Sequence, residues 1–137
     1  MSDERFGDVV EANARFYRAF ETLDLEQMDA VWRHADAARC VHPGWPFLTG
    51  WDAVRASWEA IFKNTVEMRF TISDVHVAGD GAVAWVTCTE NILSQVRGQV
   101  SVTSVLATNV FTRAADGWRL VVHHASHVLG GAPAPES

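Results

Sequence analysis

The side chains in this 137-residue sequence best suited to moving a proton or holding a ligand are the histidines at 42, 123, 124 and 127 and the neighbours Glu90 and Asn91. His42 stands just before Pro43 in Cys-Val-His-Pro, and the other three histidines fall in the run WRLVVHHASHV. An imidazole changes charge near neutral pH, so it can serve as general acid, general base or polar hook for a ligand oxygen. The plainer alternative is a core histidine satisfied by a neighbouring side chain. The string His-His-x-x-His suggests metal chelation, but strand geometry argues against a self-contained site. Neighbours in an extended chain point to opposite faces, and His123 and His127 would lie roughly 13 Å apart. Strict alternation puts Trp118, Leu120, Val122, His124 and Ser126 on one face, with Val121, His123, Ala125 and His127 on the other.

Glu90 and Asn91 also sit mid-strand on opposite faces. If Arg97-Gly98 is a two-residue turn, Glu90 shares a face with Val105 and Asn109. A glutamate pointing into an apolar cavity would have a raised pKa and be suited to acid/base work. One pointing outward would pair with an arginine at an edge or interface. Alternation alone leaves open which of the two looks inward.

The elements that must position these residues are readable from periodicity. Three runs, 82–95, 100–113 and 118–128, are rich in Val, Thr, Trp and Phe, lack proline and are separated by Arg97-Gly98 and Ala-Ala-Asp-Gly, which predicts long antiparallel strands joined as hairpins. A fourth strand is predicted over 66–78, before Gly79-Asp80-Gly81. Upstream, Phe6, Val9, Val10, Ala12, Phe16, Ala19 and Phe20 recur at helical spacing between residues 3 and 22. Asp24, with Gln27 three places on, predicts the capped start of a second helix carrying Leu25, Met28, Val31 and Trp32. A short strand is expected over 38–42, then a Pro/Gly-rich loop bearing Trp45, Phe47 and Leu48 that would cover something. A third helix is expected over 52–64, burying Val54, Trp58, Ile61 and Phe62. Helices segregated ahead of an antiparallel sheet define an α+β domain with the helices on one face. Residues 1–128 form this single domain, and the Gly/Pro-rich tail 129–137 is expected to be disordered.

Composition narrows the function. Hydrophobic residues make up 48% and charged residues 20%, ordinary values for a soluble domain. A formal charge of −6 with no basic cluster argues against nucleic acid as a partner. No run has the length of a membrane span and the charged start has no apolar leader, so the cytoplasm is expected, with no membrane partner. Cys40 and Cys88, each in an apolar run, read as two buried thiols rather than a disulfide. No Walker loop, dinucleotide fingerprint, nucleophile elbow or zinc spacing is present, so neither a cofactor nor a metal is expected.

The segments DLEQMDAVWRHADAARCVHPG, TGWDAVRASW and DGWRLVVHHAS, in this layout, resemble the SnoaL-like branch of the nuclear-transport-factor-2-like superfamily, over about residues 7–128. The resemblance implies a cone-shaped α+β barrel, with three helices in the hollow of a strongly curved, mainly antiparallel sheet, and a homodimer through the convex face. It also implies a pocket for a small hydrophobic molecule. The family includes ketosteroid isomerases, polyketide cyclases, dehydratases, epoxide hydrolases and non-catalytic domains. Matching ketosteroid isomerase places His42 at its base position, and Phe16 and Asn109 at its two oxyanion donors. Phe16 cannot donate, so true steroid isomerisation is not expected. The match also turns the His124 face toward the cavity. His42 as proton carrier, with His124 and Asn109 holding an oxygen, are thus the candidate catalytic residues. Phe16, Phe20, Trp32, Trp45, Trp58, Phe62, Glu90 and Ser126 are candidates for lining the pocket. The implied function is a cofactor-free isomerase, cyclase or hydrolase; the alternative is a non-catalytic ligand-binding or dimeric assembly domain. The outward set Trp85, Thr87, Thr89, Ser104, Leu106 and Thr108 would suit isologous dimer packing.

Overall fold

The structure, a computed structural model, describes residues 6–128. The start of the predicted first helix and the tail at 129–137 lie outside the described residues. Helices α1 (Gly7–Glu21), α2 (Leu25–Val31) and α3 (Trp51–Asn64) precede or interrupt two short strands, β1 (Arg39–Val41) and β2 (Leu48–Thr49). Four long strands follow: β3 (Glu67–Gly79), β4 (Val83–Val96), β5 (Gln99–Ala114) and β6 (Gly117–His127). The expected cap forms, with Asp24 accepting from the Gln27 amide at 3.1 Å.

The strands make one sheet in the order β2-β1-β6-β5-β4-β3. All pairs are antiparallel except β1 with β6, which is parallel. The barrel expected from the resemblance is not formed. The sheet is open, neither closed nor strongly curled, with β2 at one edge and β3 at the other. Closure needs a ladder between the two edge strands. Here a two-residue strand ends one side, a 13-residue strand ends the other, and they are not paired. The α+β class itself stands, with the helices covering one face.

Two local features set which side chains meet the helices. Arg97 and Gly98 both take positive φ, as a two-residue hairpin turn requires, and Val96 pairs with Gln99. That register opposes Glu90 to Val105 and Val86 to Asn109. The second feature is a bulge. Phe111 pairs with Leu120, but the next residue back, Val110, pairs with Val122, so Val121 is extra on β6. The alternation of β6 therefore changes phase at that point. Trp118 and Leu120 are buried before the bulge; His123 and Ala125 are buried after it.

The core lies between α1, α3 and the inner sheet face. Phe16, Phe20 and Trp58 interlock edge to face, with centroids 4.8 to 6.0 Å apart. Trp32 joins the same core, 6.5 Å from Trp58 and 5.9 Å from Trp51. Cys40 and Cys88 are buried free thiols. Among the described residues no helix is long and apolar enough to cross a membrane.

Candidate functional site

A polar network runs through this apolar core, built from four elements. Glu90 of β4 is 1% exposed and accepts the Tyr17 hydroxyl proton at 2.5 Å. Tyr17, on α1, accepts in turn from Asn109 Nδ2 of β5 at 3.1 Å. The same amide nitrogen donates to Asn13 Oδ1, one turn before Tyr17, at 2.9 Å. Asn109 Oδ1 lies 2.6 Å from His123 Nδ1 of β6. Each proton in the chain is assigned by its neighbour. Ionised Glu90 can only accept, so Tyr17 donates to it and must receive from Asn109. Asn109 then presents its oxygen to His123, which donates from Nδ1 and keeps Nε2 as its acceptor nitrogen.

Burial controls the titration of this network. Glu90 is pushed up from 4.5 to about 7 by desolvation, partly opposed by the Tyr17 bond. No arginine or lysine pairs with it among the described residues. Tyr17 is raised well above its ordinary value of 10.0, first by burial and then by the Glu90 charge. It is thus a firm proton donor at neutral pH. His123 is held well below 6.5 by burial, with smaller contributions from the charges of His42 and His124.

His42, at the end of β1, is also buried, and its Nε2 lies 2.9 Å from Ser57 Oγ. Ser57 spends its own proton on the Val54 carbonyl at 2.6 Å, so His42 donates from Nε2. Burial lowers its pKa to about 4, which keeps the ring neutral at pH 7. Trp58 packs edge-on against it at 4.7 Å, and Trp45, itself half-exposed, packs edge-on against it at 4.9 Å. His123 is the nearest imidazole, at 6.3 Å. The wholly buried Trp58 Nε1 has no acceptor among the described residues.

The structure redistributes the candidates read from the sequence. His124 does not face the helices: it is exposed on the outer sheet face, where Ser126 also lies, along a groove of about 730 Å³ that includes His76, Thr87 and Leu106. The Val121 bulge is the reason, and His123 takes the inward place. His42 and His124 therefore do not converge. Asn109 is inward, but its amide is engaged with Asn13 and Tyr17, so it orders the network rather than offering a donor to a ligand. Phe16 packs on His123 at 4.8 Å, while Phe20, Trp58 and Phe62 fill the space beside it. Trp32 lies deeper, in the core. Glu90, not Asn91, looks inward.

Tyr17, Asn13 and Ser57 do not stand out in the sequence, and His123, which does, is placed by strict alternation on the face opposite the one it takes. The signal for the first two was available: Asn13 and Tyr17 are four apart on the apolar stripe of α1, where an exposed polar pair does not belong. Both border a groove of about 340 Å³ between α1 and β3, walled by Val10, Phe70, Ile72 and Val75. Arg18 and Glu21 stand at its rim, and the Glu21 carboxylate holds the Phe70 amide at 2.9 Å.

Helices on one face of a mixed sheet, with a carboxyl-tyrosine-amide-imidazole network between the layers, define a helix-on-sheet domain of the NTF2-like kind. The profile of the SnoaL-like domain matches residues 9–130, and the chain belongs to that family. A solved structure from Streptomyces avermitilis, described as a candidate dehydratase of the NTF2-like family, is 42% identical. It matches 95% of this chain and 100% of its own, with a TM-score of 0.85. A second, from Thiobacillus denitrificans, is described as a candidate calcium/calmodulin-dependent protein kinase type II association domain. It is 36% identical over 86% of this chain and 93% of its own, with a TM-score of 0.77. The F-box protein SKIP8 of Arabidopsis thaliana is 26% identical over 121 residues, which are 88% of this chain. The chain spans only 50% of the length of that plant protein.

Proposed function

We propose that the protein is a cofactor-independent acid/base catalyst acting on a small hydrophobic metabolite, with Glu90 and Tyr17 as its proton-handling pair. One observation carries this reading: a carboxyl 1% exposed, bonded to the Tyr17 hydroxyl and with no cation beside it among the described residues, is pushed by burial up to about 7. Such a group costs stability and is suited to taking and returning a proton at neutral pH. Tyr17 connects it to the α1–β3 groove, taking a substrate proton on its oxygen as it passes its own to Glu90. The Streptomyces relative supports an elimination. In that reaction the C–H proton leaves to the Tyr17–Glu90 pair, its electron pair becomes the new C=C bond, and the pair returns that proton to the departing hydroxide, which leaves as water. The test is turnover of cyclic β-hydroxy ketones followed by enone absorbance. E90Q should lose at least about a hundredfold in rate, the lower end for a positioned acid/base. Equal turnover by E90Q would sink the proposal.

A second reading, a dimeric assembly domain, is favoured by the outer sheet face. Trp85, Leu106 and Val102 point away from the helices there and are 44%, 52% and 78% exposed. We infer that this face pairs two copies of the chain, and the relative described as an association domain supports it. The two readings are compatible, since the catalytic network lies on the other side of the sheet.

A further inference from the structure

The hydrogen-bond direction worked out above has an end point in the α1–β3 groove. Asn109 gives an N–H to Asn13, so Asn13 must meet it with Oδ1. The Asn13 amide nitrogen is thereby turned away from the network, and it makes no hydrogen bond among the described residues. Asn13 is only 4% exposed, and it borders the groove. Asn13 Nδ2 is not one of the wholly buried, unpartnered side-chain nitrogens among the described residues, so it meets solvent at the groove, where the acceptor of a bound molecule can replace water.

The surroundings narrow that acceptor. The groove walls are apolar: Val10, Phe70, Ile72 and Val75. Tyr17, the other polar side chain at its floor, has spent its proton on Glu90. The charges at the rim, Arg18 and Glu21, are of opposite sign and both on the exposed side of α1. The floor therefore offers one neutral donor and no net charge. At about 340 Å³ the space is at the small end of the roughly 300–1,000 Å³ typical of ligand pockets.

We propose that this groove is the ligand site, and that Asn13 Nδ2 donates to the carbonyl oxygen of a neutral, largely apolar ring compound bound there. The proposal rests on the acid/base reading and deepens it, naming the seat and class of the substrate. A carbonyl held by Asn13 places the acidic carbon next to it along the same stripe of α1 as Tyr17, one helical turn away. Asn13 then does the task that the family resemblance had given to Asn109.

The probes are 2-tetralone, tetralin and tetralin-2-carboxylate, which share one ring skeleton and differ in the oxygen group. Binding is read by NMR on the intact chain, from the Asn13 side-chain amide and the Ile72 and Val75 methyl signals. The ketone is expected to shift all three and to bind about tenfold more tightly than tetralin, the value of one well-made hydrogen bond. Asn13→Asp, measured at pH 8.5, keeps the acceptor for Asn109 but replaces the open donor with an oxygen. It should erase that tenfold preference, and Asn13→Ala should do the same if the aspartate variant folds poorly. Equal binding of ketone and tetralin overturns the proposal. So does tighter binding of the carboxylate, or shifts confined to His42 and Trp45, or no binding of the ketone. The same titration on E90Q, run beside its enone assay on the β-hydroxy ketones, separates the two claims: 2-tetralone bound with elimination lost upholds both, while 2-tetralone bound with elimination at the parent rate leaves the groove standing and removes the acid/base role.

Discussion

Replacing Glu90 by glutamine tests the network through stability alone, without any substrate. In the unfolded chain the carboxyl titrates near 4.5, and in the fold at about 7. Between those values the folded state keeps a proton that the unfolded state has released. Stability therefore falls as pH rises through this window, at about 1.4 kcal/mol per pH unit and by about 3 kcal/mol in all. Above pH 7 the loss is complete. The glutamine amide oxygen still accepts from Tyr17 and does not titrate. E90Q should therefore match the parent near pH 4.5 and exceed it by about 3 kcal/mol at pH 8. The buried histidines act in the opposite sense. His42 falls from 6.5 to about 4 in the fold, and His123 lies well below its ordinary value. Below pH 6.5 the unfolded chain takes up protons that the fold refuses, so stability drops as pH falls. In the parent chain two histidines outweigh one carboxyl below 6.5 and the carboxyl acts alone above it, which places the maximum near pH 6.5. E90Q removes the alkaline decline and steepens the acid one. Urea unfolding at half-unit pH steps, followed by tryptophan fluorescence, measures both arms. A difference between E90Q and parent that does not change with pH, or a variant less stable at pH 8, would refute the reasoning.

Other outcomes follow from the same geometry. His123→Ala removes the partner of Asn109 and a ring packed on Phe16, and should cost about 2–4 kcal/mol in urea unfolding, whereas His124→Ala should stay within about 0.5 kcal/mol. The reverse order would mean that β6 has the other phase. Asp24→Ala deletes the cap of the seven-residue α2 and should cost about 1 kcal/mol, read as a lowered Tm. Trp85→Arg with Leu106→Arg should convert a dimer into a folded monomer in light scattering. An unchanged mass would exclude the outer sheet face as the contact.

How much of this was legible beforehand differs by level. The elements were, apart from β2, which lies inside the expected Pro/Gly-rich loop, because their signals are local: the stripe of α1, Asp24 before Gln27, and two turns marked by glycine. Which of Glu90 and Asn91 looks inward stayed open, because it depended on whether Arg97-Gly98 is a two-residue turn; the observed hairpin register settles it for Glu90. The barrel was not legible, because closure depends on whether β2 and β3 meet, and no residue in either encodes that. The inward face of β6 was misread for a different reason. Alternation counts residues, and a bulge adds one without a mark: Val121 looks like any other valine in WRLVVHHASHV. Asn13 and Tyr17 were missed because the resemblance pointed at Phe16, the neighbour of the true network residue.

The extra residue in β6 also says something about tolerance to change in length. Both adjacent histidines lie beyond the phase change at Val121, so either frame of β6 carries an imidazole inward. With the bulge, His123 meets Asn109; in an unbroken ladder of the present length, His124 would come inward opposite Ala107, one step along the inner face. Shortening the strand by Val121 would simply make the ladder regular and leave His123 where it is. A single-residue deletion in mid-strand, normally ruinous because it inverts every side chain beyond it, should here yield a folded protein with the His123–Asn109 contact intact. Val121 is thus a spare letter in the strand, one whose loss leaves the message beyond it unchanged.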